Sequence, residues 1–292
     1  MTRSSPLSLA YARVAATDLA AAHSFAVTIL GLETVEIGDE EIAFRSDARA
    51  RSLVFDGSGA GPVLGLAMDD ETDLDRVAER LTQNGFPCAF GDEALVRRRE
   101  AHRILVAHDS SGNRIELVTH PLVSGRRFFP TRDCGVVDFQ GVGLRSVDIE
   151  RDVFFWTVLL GAHVSDRVGD ITYLSIDDMH HRIALYPSRR GGLLNVAFEV
   201  ESLDEVMRNA HFVASHQVRI VQGPGRETAS DQIFLHFAGP SETLFSFVAG
   251  MRRFDPSKQR PRQFARKAEA LCAWGSECAT VPELAAIPNK PA

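Results

Sequence analysis

Apolar residues recur along the chain with two distinct periods. Leu74, Val77, Ala78 and Leu81 fall at i, i+3, i+4 and i+7, which predicts a short amphipathic helix with one buried stripe. Asp170 to Ile176 and Gln232 to Phe237 instead alternate, or run as β-branched and aromatic residues, which predicts strands. Helix punctuation follows the same logic. Asp18, Asp148 and Ser202 stand where an N-cap oxygen would accept from the first turn, and Gly31, Gly85 and Gly161 where a left-handed stop is needed.

The pattern repeats. Asp18 and Asp148 open helices that stop at Leu30-Gly31 and Leu160-Gly161, 130 positions apart. Leu64 to Asp69 and Leu194 to Glu199 match at an offset near 129, and Ile115-Glu116-Leu117 precedes Phe245-Ser246-Phe247 by 130. Each copy holds two units of strand, helix and two or three further strands, spanning about Leu7 to Phe55, Val63 to Thr119, Val137 to Tyr186 and Leu193 to Ala249. Residues 1–120 and 137–250 are therefore expected as two α+β domains, with a linker over 121–136. A polar tail, 251–292, is expected to wrap the second half through Phe254, Phe264, Leu271 and Trp274.

Composition narrows the function classes. The chain has 292 residues, 45% hydrophobic and 24% charged, with a formal net charge of −7. An acidic balance disfavours nucleic acid, which needs a basic face. No apolar run approaches the roughly 18–20 residues of a membrane helix. Met1 to Ala10 lacks the apolar stretch of a secretory leader, so a cytoplasmic location is expected. Cys88, Cys134, Cys272 and Cys278 are scattered, as reduced thiols would be. Arg97-Arg98-Arg99 is expected at a surface strand edge, and the runs 39–41 and 69–71 as solvated acidic faces.

Several segments together carry a resemblance: Gly141 to Asp148 with Phe154 to Gly161, His180 to Ala184, Leu193 to Val200, Gly225 to Asp231, and Phe237 to Pro240 through Phe247. In this order the chain resembles the vicinal oxygen chelate superfamily and, within it, the two-domain type I extradiol dioxygenases. The likeness spans about 240 residues. It implies four βαβββ modules paired into two open β-barrel domains, with the active site in the C-terminal barrel. It also implies an iron held there by two His and one Glu, leaving open positions for a catechol and O₂.

Mapped residue by residue, the ligand positions fall on Gly141, Asn195 and Ser246. Glycine has no donor atom, and Asn and Ser are neutral oxygen donors ill suited to Fe(II), so no metal cofactor is expected. The N-terminal counterparts, Tyr11, Leu66 and Glu116, do not form a ligand set either. Around the site, Glu227 and His236 replace a His and a Tyr of the family, while His180 keeps a family His position beside His181. Adjacent strand residues face opposite ways, so one of His180 and His181 is expected to face the cavity; counting from Asn195 favours His180, and a one-residue loop change would favour His181.

The expected reading is an enzyme of isomerase, lyase, hydratase or cyclase type. His180 or His181, His236 and Glu227 would move protons. Asn195, Ser246, Gly141 and Asp231 would contact an oxygenated aromatic or polycyclic substrate. Two alternatives stand beside it: a non-catalytic binding or scaffold homologue, and an iron dioxygenase with ligands relocated to His180, His236 and Glu227. A homo-oligomer is expected from the resemblance.

Overall fold

The computed structural model describes residues 7–255 and 258–286. The expectations for residues 1–6 and for the end of the tail, 287–292, lie outside them.

The two halves are built alike. The first comprises β1 (Leu7–Ala15), α1 (Leu19–Ser24), β2 (Glu33–Ile37), β3 (Glu41–Arg45), β4 (Leu53–Asp56), β5 (Val63–Met68), α2 (Glu71–Gln83), β6 (Cys88–Phe90), α3 (Glu93–Arg99), β7 (Arg103–His108) and β8 (Arg114–Thr119). The second comprises β9 (Val136–Ser146), α4 (Ile149–Phe154), β10 (His163–Val168), β11 (Ile171–Ser175), β12 (Ile183–Pro187), β13 (Gly192–Val200), α5 (Leu203–Ser215), β14 (Ile220–Arg226), β15 (Ile233–Ala238) and β16 (Leu244–Ala249). Both α1 and α4 continue as π-helical turns, Phe25–Leu30 and Phe155–Leu159. The tail adds β17 (Arg262–Phe264) and α6 (Ala268–Leu271).

Each half is one open sheet. Its order is β2-β3-β4-β1-β5-β8-β7-β6 in the first and β14-β15-β16-β13-β9-β12-β11-β10-β17 in the second. The first strands of paired units meet antiparallel at the centre, as β1 with β5 and β9 with β13. The predicted caps form: Asp18 accepts from the Ala21 amide at 2.9 Å, and Asp148 from Arg151 at 3.1 Å. Gly31 and Gly161 take φ of 75° and 86°, the left-handed region where a Cβ is costly.

Period two places the two faces of each sheet. Phe245 and Phe247 join the large core shared with the helices, where Phe25 of the first half lies 5.1 Å from Phe245. Ser246, between them, turns to the concave face. A different segment covers that face in each half. In the first, Leu95 and Val96 of α3 pack on Tyr11 and Ile104. In the second, Cys278 and Leu284 of the tail pack on Tyr173 and Tyr186, and Cys272 packs on Phe234. The tail lies so close that a Cβ on Gly225 would sit 2.8 Å from the Cys272 Sγ.

Two expectations need correction. Arg97–Arg99 is not a strand edge but the last turn of α3, which Asp92 caps at 2.8 Å and whose basic residues suit the helix C-terminus. Trp274 does not anchor the tail, being half exposed; Cys272, Cys278 and Leu284 do, with Phe264 and Leu271 packed against them.

Candidate active site

The concave face of the C-terminal sheet encloses a small cavity. Gly141, His181, Tyr186, Asn195, Glu227, Gln232 and His236 all line it. Strand register brings them together. Gly141 on β9 stands opposite Ala197 on β13, and Ala197 opposite Ser246 on β16, which in turn faces His236 on β15.

A hydrogen-bonded chain runs through this register. The Asn195 carboxamide donates to the Ser246 hydroxyl at 3.1 Å, and Ser246 lies 2.6 Å from His236 Nδ1. With its oxygen accepting from Asn195, Ser246 gives its proton to Nδ1, and His236 carries its own proton on Nε2. Burial lowers the His236 pKa to about 4, which keeps the ring neutral and able to accept. Its ring stacks on Phe234 at 4.5 Å, which fixes its plane. Gly143 makes room for Asn195, since a Cβ there would fall 2.1 Å from Oδ1.

Glu227 follows β14 in a loop and accepts from Ser230 at 2.5 Å. Burial raises its carboxyl to about 7, with the Ser230 bond opposing, so it changes charge near neutral pH.

Counting from Asn195 favours His180, but it is His181 that lines the cavity; His180 lies behind it, held by Asp166. His180 Nε2 sits 2.8 Å from Asp166, and the two Nδ1 atoms are 3.1 Å apart. Burial lowers the His180 pKa despite Asp166, so the ring is neutral and donates Nε2–H to the carboxylate. Its Nδ1 must then accept, so His181 donates from Nδ1 and keeps Nε2 as an acceptor. Burial, His180 and Arg182 all lower the His181 pKa, in keeping with that tautomer. Burial alone would raise the Asp166 carboxyl, but His180 and Arg262 hold it at about 2. Arg262 belongs to the tail strand β17 and lies 2.6 Å from Asp166.

Asp231 stands apart. It is half exposed, pairs with Arg226 at 3.2 Å and does not line the cavity. Sequence reasoning missed Gln140, Tyr186 and Gln232, which do. Gln232 shares the face of His236 at strand period, a signal that was available. Its buried Nε2 has no hydrogen-bond partner.

The donor set bears on iron. A Cβ at Gly141 would lie 2.6 Å from the Arg182 carbonyl oxygen, so backbone occupies the space a side chain would need. Asn195 and Ser246 satisfy each other and His236. These residues do not fit a two-His-one-carboxylate site. Relocated ligands are not assembled either, because His180 is engaged by Asp166 behind the cavity wall. Among the described residues, one group of three metal-type donors comes within 4.8 Å, Glu71, His102 and His120, and it lies on the first half.

Comparison with known proteins agrees with the fold. The Glyoxalase/Bleomycin resistance protein/Dioxygenase superfamily profile matches residues 139–247. The second half carries a domain of that superfamily. Beyond the domain, the chain is 29% identical to the biphenyl-2,3-diol 1,2-dioxygenase of Paraburkholderia xenovorans (strain LB400), over 97% of this chain and 98% of that protein. It is 23% identical to an iron-dependent extradiol dioxygenase of Rhodococcus jostii (strain RHA1), over 92% and 96%. Among solved structures it superposes on the Mn(II)-bound glyoxalase of Novosphingobium aromaticivorans with a TM-score of 0.84 at 22% identity, over 99% and 96%. A halotolerant catechol dioxygenase gives 0.85 at 19%, over 95% and 96%. The superfamily domain contains Gly141, His180, His181, Asn195, Glu227, His236 and Ser246.

Because Gly141 is sterically committed, Gly141→His is expected to destabilise the fold by about 1–3 kcal/mol through overpacking. Urea unfolding with added Fe(II) measures this; a variant as stable as the parent, or stabilised by iron, would contradict the geometry.

Proposed function

We propose that this chain is an extradiol-dioxygenase relative that works without iron, moving protons on an oxygenated aromatic or polycyclic small molecule in its C-terminal barrel. One observation carries the reading: the Glu227 carboxyl, raised by burial to about 7, and the imidazoles of His181 and His236 line the same cavity as Asn195, with Ser246 hydrogen-bonded behind them to Asn195 and His236. Glu227 supplies the acid or base. His236 presents Nε2–H as a proton donor, His181 accepts at Nε2, and Asn195, held by Ser246, orients a hydroxyl or carbonyl oxygen. The unpaired Gln232 amide offers a further donor to that oxygen. Such groups suit isomerisation, hydration or carbon–carbon bond cleavage of the aldol type.

The aromatic substrate class is carried over from the relatives, whose names record aromatic diols. The cavity itself is about 20 Å³, space for a water. That is far short of the roughly 150 Å³ that accepts benzene. A ring therefore enters only if the walls of this cavity move apart. The same constriction favours a second reading, a homologue that binds without turnover.

Solvent-deuterium exchange into hydroxylated and ketonic aromatic compounds, followed by NMR in chelator-treated buffer, separates the two. Turnover that falls about 10²-fold or more in His236→Ala and in His181→Ala supports the acid–base roles. Saturable binding with no exchange and no product establishes the second reading.

A further inference from the structure

At one end of the first sheet three strands have their ends level. Met68 of β5 pairs with Thr119 of β8, and Thr119 pairs with Arg103 of β7. Just beyond that row stand Glu71, the first residue of α2, His102, which precedes β7, and His120, which follows β8. We infer that these three side chains form a binding site for a divalent transition metal of the zinc class.

Geometry carries the inference. Donor atoms of all three side chains lie within 4.8 Å of one another. Glu71 Oε1 and His102 Nδ1 are 3.8 Å apart, and the two imidazole centroids 5.0 Å. Zinc bonds of about 2.0–2.2 Å set tetrahedral ligands about 3.4 Å from each other. All three residues are at least partly exposed, so small side-chain rotations close the difference. The backbone holds each of them in place. The His102 amide donates to the Thr119 carbonyl at 3.0 Å, which fixes His102 beside the end of β8. His120 turns the chain with a left-handed φ of 45°. Asp70 caps α2 by accepting from the Thr72 amide at 2.7 Å, which holds the first turn and Glu71 with it.

Donor chemistry selects the ion. Two imidazoles and one carboxylate suit zinc, copper or nickel, whereas magnesium and calcium take oxygen sets. Three protein ligands leave a position for water. Apart from the Glu71–His102 contact, no hydrogen bond or ion pair engages these three side chains among the described residues. Arg97 and Arg103, which line the same groove as His102, are paired with Glu93 at 3.2 Å and Asp75 at 2.8 Å. Fe(II) stands lower in the divalent series, so the same ligands hold it more weakly and release it on desalting. The site is thus separate from the question of iron in the C-terminal barrel.

Calorimetric titration of the untagged, chelator-treated full chain with zinc chloride tests the inference. One zinc per chain is expected. His102→Ala and His120→Asn are each expected to weaken zinc at least about tenfold, since even the outer partners of metal ligands cost that much. Asparagine is chosen at 120 because it tolerates the left-handed backbone. Glu71→Gln keeps the shape, loses the charge and is expected to weaken zinc as well. His163→Ala, at an exposed histidine of the second half, is expected to leave zinc binding unchanged. Cobalt(II) gives a second readout: visible absorption bands of the bound ion in the parent, lost in His102→Ala. No saturable zinc binding, unchanged binding in His102→Ala or His120→Asn, or an equal loss in His163→Ala would each overturn it.

Discussion

Glu227→Gln is expected to stabilise the protein above pH 7 by roughly 3 kcal/mol relative to the parent, while lowering turnover by about 10²-fold or more. The sign follows from linkage. Burial raises this carboxyl from 4.5 to about 7 in the folded chain. The folded state therefore holds a proton that the unfolded state releases. Its contribution is fully present below pH 4.5 and is lost as pH rises to about 7 and beyond. Glutamine mimics the protonated form, keeps an oxygen for Ser230 and carries no charge to bury. Urea unfolding of both proteins between pH 4.5 and 8 reads the difference: the curves should diverge as pH rises. Parallel curves would show that Glu227 titrates as an ordinary surface carboxylate. Opposite signs for stability and turnover in one variant are what a functional buried acid produces.

The second large effect is expected at Asp166. This buried carboxylate receives His180, Arg262 and Arg252, at 2.8, 2.6 and 3.4 Å. Asp166→Ala strands those partners and should cost about 3–5 kcal/mol, the range for breaking a buried pair from one side. Because the Asp166 carboxyl is held at about 2, below its ordinary 3.8, its stabilisation is present above pH 3.8 and fades as pH falls towards 2. The variant should lack that acid-dependent loss. Arg262 also ties β17 to β10, so hydrogen exchange in residues 262–264 and 268–271 should accelerate with the substitution. A loss under about 1 kcal/mol in urea, with the tail still protected, would show that the Asp166 cluster does not hold the strap.

The periodic signals in the sequence were enough for the scaffold. Caps at Asp18, Asp148 and Ser202, stops at Gly31 and Gly161, and the 130-residue offset rest on local rules, and the strands and helices appear where those rules place them. Strand alternation also placed Ser246 on the concave face between two core phenylalanines. Features decided by long-range contact were not readable in the same way. Whether His180 or His181 faces the cavity turns on a one-residue choice in the loop before β12, which Asp166 settles by claiming His180. Asp166 itself carried no mark in the sequence, since its partners come from residues 14 and 96 positions away. The basic run 97–99 gave no sign that Arg99 would turn inward, because Glu116 is reached only when α3 folds over β8. The tail was expected to use its largest side chain, Trp274, yet the crowded surface near Gly225 admits the smaller Cys272 instead.

The proposed function requires that the C-terminal barrel hold no iron. Protein prepared without chelator, then incubated anaerobically with Fe(II), desalted and analysed for metal, tests it most directly when paired with oxygen uptake on catechol and biphenyl-2,3-diol. The expected result is iron well below one equivalent per chain and no ring opening above the rate without protein. One tightly held iron per chain with oxygen-dependent ring opening, lost in His236→Ala, would contradict it.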